Sequence, residues 1–148
     1  MGVKINLKFV REALDVPRDE LIASVNADLD FIGNDLLQTS RSVTPEDTGR
    51  LVNSGTLTRF RGTSKKTSVK VAYFARNPKD GFEYSTFIHN GNYNLGDKSR
   101  RKIPVRSQFQ KNARPVGKGF LIDLALDCQD NWYKYIDNNI EKITRKYK

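Results

Sequence analysis

The stretch Ser42-Val43-Thr44-Pro45-Glu46-Asp47-Thr48-Gly49-Arg50-Leu51 divides the chain into a part that reads as helix and a part that reads mostly as strand. Pro45 has no backbone N–H and pushes the residue before it toward extended geometry, so a helix reaching it must stop. Asp47 and Thr48 can bond nearby backbone, and Gly49 can take a positive φ that other residues resist. Arg50 and Leu51 then open a β-prone run. Pro45, Asp47, Thr48, Gly49 and Leu51 are therefore the expected residues of a helix-to-sheet corner.

Upstream of the corner, Leu21, Ile22, Val25, Leu29, Ile32 and Leu36 recur at spacings of three and four, which predicts an amphipathic helix over 17–43. Phe31 and Leu37 lie off that stripe. They either widen the buried face or meet another subunit, and both are candidate interface residues. Gly33 costs such a helix up to about 1 kcal/mol and marks a site for a bend. Earlier still, Val3, Ile5, Leu7 and Phe9 alternate with polar residues, so 1–16 is expected to hold a short strand or arm, broken at Asp15-Val16-Pro17.

Downstream, an antiparallel sheet is expected over 50–91. Leu51–Arg61 reads as one long strand, and a turn at Gly62–Lys66 leads to a second over Thr67–Ala75. After Asn77–Gly81, the alternation of Phe82, Tyr84, Thr86 and Ile88 reads as a third strand ending at Asn90-Gly91. Residues 92–119 lack apolar periodicity and form a long basic loop. Helical spacing returns over 120–146 through Leu121, Leu124, Ala125, Cys128, Trp132, Ile136, Ile140 and Ile143. The expected fold is a single α+β domain spanning 1–148. Two long helices pack on an antiparallel sheet of three to four strands, with the long basic loop before the C-terminal helix.

Charge is unevenly spread along this frame. Residues 1–47 carry five Lys/Arg against nine acids, whereas 48–148 carry 21 against eight. The loop alone holds Lys98, Arg100, Arg101, Lys102, Arg106, Lys111, Arg114 and Lys118 against the single acid Asp97. A basic body suits nucleic acid or an acidic protein surface. The split also suits head-to-tail contact between copies, the acids of the first helix against a basic neighbour. Phe109 is the only full aromatic in the basic run 98–118, which disfavours a base-stacking platform. Arg100, Arg101, Lys102, Ile103, Arg106 and Phe109 are the candidate interface residues here. The loop is expected to be mobile until assembly, with Ile103 and Phe109 as its apolar anchors.

Catalytic chemistry finds little support. His89 is the only histidine, and Glu83 and Asp80 lie near it in sequence. Cys128 is the one cysteine and lies on the apolar stripe of the last helix, so it reads as core and forms no disulfide within the chain. Phosphate-binding, dinucleotide-binding, metal-ligand and nucleophile-elbow patterns are missing. No catalytic residue, cofactor or metal site is expected, and no apolar run approaches the roughly 20 residues of a membrane span. No signal peptide is expected either, so the chain reads as a soluble protein made in a cytosol.

The order of these features resembles the neck and tail-completion proteins of long-tailed bacteriophages. The resemblance rests on Pro45-Glu46-Asp47-Thr48-Gly49-Arg50-Leu51-Val52-Asn53-Ser54 at the corner, on Val71-Ala72-Tyr73-Phe74-Ala75, on Phe87-Ile88-His89-Asn90-Gly91, and on Gly119-Phe120-Leu121 close after Arg114-Pro115. It covers about residues 18–140. It implies a structural virion protein of the head–tail junction, made in the host bacterial cytoplasm, and not an enzyme. Implied partners are further copies of itself in a ring of six or twelve, a portal-side adaptor or head-closure protein, a tail terminator or tail tube protein, and DNA passing through the channel. The alternatives from composition are a basic nucleic-acid-binding domain and, more weakly, a small nuclease using His89.

Overall fold

The computed structural model describes residues 1–8, 17–61, 66–91 and 93–147. In chain order it holds β1 (Gly2–Lys8), α1 (Arg18–Val43), α2 (Arg50–Asn53), β2 (Thr56–Arg61), β3 (Lys66–Ala72), α3 (Ser85–Asn90), α4 (Asp97–Arg101) and α5 (Ile122–Arg145). The architecture is α+β, with the long helices α1 and α5 on one face of a three-stranded antiparallel sheet.

The sheet order is β1-β3-β2, with Val71 between Val3 and Leu57, and Ile5 opposite Val69. Side chains alternate between faces of a strand, so these residues turn together toward the helices. Ile5, Val69 and Val71 are buried there against Val25, Leu29, Ile32 and Leu36 of α1 and Leu124, Cys128, Trp132 and Ile136 of α5. Truncating any one of the large aliphatic members to alanine costs about 2–5 kcal/mol. Thr58, Phe60, Lys4 and Lys70 occupy the other face, which is exposed. Gly33 belongs to the close approach of α1 to the sheet. A Cβ there would stand 2.8 Å from Leu57 Cδ1 and 3.2 Å from Val69 Cγ2. Its absence buys contact between layers, which is a better account of this glycine than a bend.

Three sequence expectations change. First, Leu51–Arg61 is not one strand. Arg50–Asn53 makes a single helical turn, closed by Ser54 N–H bonds to the Arg50 and Leu51 carbonyls, and β2 starts only at Thr56. Leu51 is buried by that turn. Second, the alternation from Phe82 to Ile88 is not a strand. A short ladder joins Asn77 and Ala75 to Phe82 and Tyr84, with Arg76 bridged to Glu83. The Glu83 carboxylate then accepts the Ser85 N–H at 2.8 Å, and the chain turns into α3. Phe82 and Thr86 are left exposed while Tyr84 and Ile88 are partly buried against the core, so the alternation did not record one face of a strand. β1 supplies the third strand instead, although Phe9, once counted with it, lies outside the described residues. The rest of the 1–16 arm beyond Lys8 and the turn at 62–65 also lie outside them.

Third, residues 93–119 are built into the chain's own core and corner. They contain α4, they bury Phe109 at 3% exposure, and they bury Ser99, Ser107 and Gln110. The premise of a loop unable to find contacts within the subunit therefore fails. Phe109 packs edge-on against Phe31 and Tyr135, with centroids 6.1 and 5.4 Å apart. Among the described residues no helix is long and apolar enough to cross a membrane.

Candidate functional site

The corner begins where α1 ends. Thr44 leaves helical geometry with ψ 129°, and its hydroxyl donates back to the Ser40 carbonyl at 2.6 Å. Gly49 stands at φ 84°, ψ −6°, the left-handed conformation expected of it, and opens the turn of α2. Asp47 and Thr48 are exposed, while Leu51 is buried beneath them.

The basic loop docks onto this corner through α4. Ser99 Oγ accepts the Glu46 N–H at 2.8 Å and donates to the Glu46 carbonyl at 3.1 Å. Lys98 Nζ donates to the Asp47 carbonyl. Lys102 Nζ donates to the Arg41 and Thr44 carbonyls, both at 2.6 Å, with the Glu46 carboxylate 3.8 Å away. A cation there satisfies carbonyls that the end of α1 leaves open and meets the negative end of its dipole. Burial pulls the Lys102 ammonium below the ordinary lysine range, and Glu46 opposes that shift.

Other loop cations are likewise engaged. Lys111 pairs with Asp130, Arg106 donates to the Lys111 carbonyl, and Arg114 lies 4.0 Å from Asp123. Besides Lys118, which is exposed, what remains is a strip. Arg100 keeps only a 3.9 Å approach to the exposed Asp97, and Arg101 is exposed. Ile103 is 85% exposed and Val105 59%. The strip is held in place from behind by Lys102 and by Ser42, whose Oγ accepts the Val105 N–H at 2.9 Å. Between α4 and the corner lies a cleft of about 640 Å³ with Leu51, Tyr84, Ile88 and Tyr93 among its walls.

The expected interface residues divide accordingly. Arg100, Arg101, Ile103 and Arg106 are on the surface. Phe31 is half-exposed and stacks on Tyr135, with centroids 5.6 Å apart. Leu37 and Phe109 are buried within the subunit, and Lys102 is spent on the end of α1. The acids of α1 are also largely spent at home. Asp30 takes both Arg59 and Arg61. Asp28 is buried and accepts from Asn139, and Asp35 accepts from Ser107. Arg76 lies over the Phe74 ring. Acids of α1 that were expected to face a basic neighbouring copy thus already have partners within one chain. Adjacent elements could meet in this way only after folding, and linear charge counts carry no sign of it.

His89 is buried and structural in its contacts. Its Nε2 accepts the Ile122 N–H at 3.0 Å, which places the ring proton on Nδ1, 2.9 Å from Asn90 Oδ1. The ring packs edge-on to Phe120. Nε2 is therefore engaged in holding the start of α5 and Nδ1 in the bond to Asn90, and Glu83 is turned to the Ser85 N–H instead. Cys128 is buried, and desolvation, with Asp127 and Asp35 adding to it, pushes its thiol up to about 12. Among the described residues no three His, Cys, Asp or Glu side chains converge as a metal site. Comparison with family models, with curated proteins and with solved structures finds no match for this chain.

Proposed function

We propose that this chain is a structural subunit of a bacteriophage neck, which assembles head-to-tail into a ring between the portal-side connector and the tail. The observation that carries the reading is the strip from Arg100 to Arg106. It combines cations without strong partners and large apolar side chains with no cover, on a segment fixed rigidly to the corner. Scattered single apolar residues on a surface need no explanation, but Ile103 and Val105 together on a pinned segment form a contact surface. The corner residues that carry the family resemblance also form its foundation, since Glu46 and Asp47 hold α4. Heterologous contacts make a ring where the rotation between successive copies closes.

Sedimentation and electron microscopy test the reading. Wild-type protein, alone when concentrated or with portal-side and tail partners, forms rings. The double variant Ile103→Asp, Val105→Asp stays monomeric with unchanged melting, because neither side chain contributes to the core. Wild-type protein that remains monomeric under all of these conditions refutes the reading.

A further inference from the structure

β1 is an edge strand, and among the described residues none pairs with its outer side. The Tyr73 N–H donates to the Met1 carbonyl at 3.0 Å, and Val3 and Ile5 pair with Val71 and Val69. In an antiparallel ladder alternate residues direct both backbone groups to the same side. Met1, Val3 and Ile5 therefore bond β3, and Gly2, Lys4 and Asn6 present N–H and C=O outward. α5 runs beside this edge and leaves a groove of about 270 Å³. Val3, Lys4 and Ile5 all line it. Consecutive side chains of a strand point to opposite faces, so three neighbours in one wall mean that the strand's edge forms that wall.

The facing wall is a second apolar stripe on α5, apart from its core stripe. Ile122, Leu126 and Tyr133 are 38%, 63% and 43% exposed. Trp132 also lines the groove at 4% exposure, and its indole N–H has no acceptor among the described residues.

We propose that this groove captures an extended segment of another protein as a fourth strand beside β1, and that the segment alternates large apolar with acidic residues. Capture by an open edge draws affinity from main-chain bonds and specificity from alternate side chains. One set of alternate residues would lie against Ile122, Leu126 and Tyr133. The other set would lie over the outer face of the sheet, where Lys4 and Lys70 are paired neighbours and both exposed. A second copy of β1 is a poor occupant. It has the right alternation, but antiparallel pairing about Lys4 sets lysine against lysine, and like charges directly opposite are unfavourable. The inference is independent of the ring reading.

Trp132 is the only tryptophan, so its emission reports occupancy. The probe is the capped peptide Val-Glu-Val-Asp-Val-Glu, titrated into the full chain. A saturable change is expected. The Val-Lys repeat of equal length should bind on the order of tenfold more weakly, and methylation of alternate amides should abolish binding. Leu126→Asp, on an exposed position, should weaken the acidic peptide by about tenfold or more with the helical spectrum unchanged. Lys4→Glu should reverse the preference between the peptides. Equal binding of both peptides, unaltered binding of the methylated one, or no saturable change at millimolar peptide overturns the proposal. So does self-association that Leu126→Asp abolishes in a protein that binds neither peptide.

Discussion

Gly49 shows how much one backbone conformation can decide. At φ 84° a β-branched side chain collides with its own backbone, and the turn that starts α2 depends on that geometry. Gly49→Val is expected to cost about 1–3 kcal/mol, read as a lower melting temperature, with Gly49→Asn milder because asparagine tolerates the left-handed region. Asp28 is the opposite case, a residue that stabilises less than its replacement would. Its carboxylate is buried between α1 and α5, Oδ1 accepts from Asn139 at 2.8 Å, and Oδ2 has no partner among the described residues. Burial raises its pKa, and the bond from Asn139 only partly opposes this. The folded chain therefore holds a proton more tightly than the unfolded chain does. Stability from this group rises as pH falls through the folded pKa, and the burial penalty is gone below the unfolded value of about 3.9. Asp28→Asn, which can keep the bond from Asn139 and carries no charge, should accordingly gain most relative to the wild type at pH 7. The gain should shrink as denaturation is repeated at lower pH, and a gain independent of pH would assign it to another cause.

Among the elements, α1 and α5 were legible because buried apolar residues recur at the helical period over many turns, and the corner because Pro45 and Gly49 have few other uses. α3 and the packing of residues 93–119 were not legible, for a common physical reason. Both are fixed by single polar contacts: Glu83 on the Ser85 N–H, Ser99 on Glu46, Lys102 on the last carbonyls of α1. Such contacts leave no periodicity in a sequence, and a lysine that closes a helix looks like any other cation in a basic run. His89 was hidden in the same way, since its service to the Ile122 N–H joins residues 33 positions apart. The docking of α4 makes a sharp forecast. Lys102→Ala removes two charge-assisted bonds and leaves the Arg41 and Thr44 carbonyls without that donor, so a loss of about 2–4 kcal/mol is expected. Arg101→Ala, one residue away and exposed, should change stability by less than about 0.5 kcal/mol. Chemical denaturation of the two variants compares them directly, and equal effects would mean that α4 is not anchored through Lys102.

For the whole molecule, the net charge of +9 is less available than it looks. Arg59, Arg61, Lys102, Lys111 and, with one bond to the Lys111 carbonyl, the exposed Arg106 already face oxygen atoms of their own subunit, which leaves Arg100 and Arg101 as the least engaged cations on the Arg100–Arg106 strip. Each exposed pair they make with a neighbouring protein is worth about 0–1 kcal/mol. A closed ring repeats the contact once per subunit, so a loss of about 1 kcal/mol per contact becomes about 6 kcal/mol over six contacts. Replacing both residues by glutamate should therefore leave melting of the isolated chain almost unchanged while raising the concentration at which rings form by on the order of tenfold. Added salt should shift the wild-type protein in the same direction, because screening acts on the same exposed charges. DNA predicts a different pattern. If the two arginines serve phosphates, the charge reversal leaves the ring midpoint where it was and weakens binding of duplex DNA, with a flatter dependence of affinity on salt. Sedimentation across a concentration series, beside a filter-binding assay at several salt concentrations, separates the two. On the proposed neck role a protein partner is expected on this strip, because DNA must slide through a neck and a collar that grips phosphate would resist that passage.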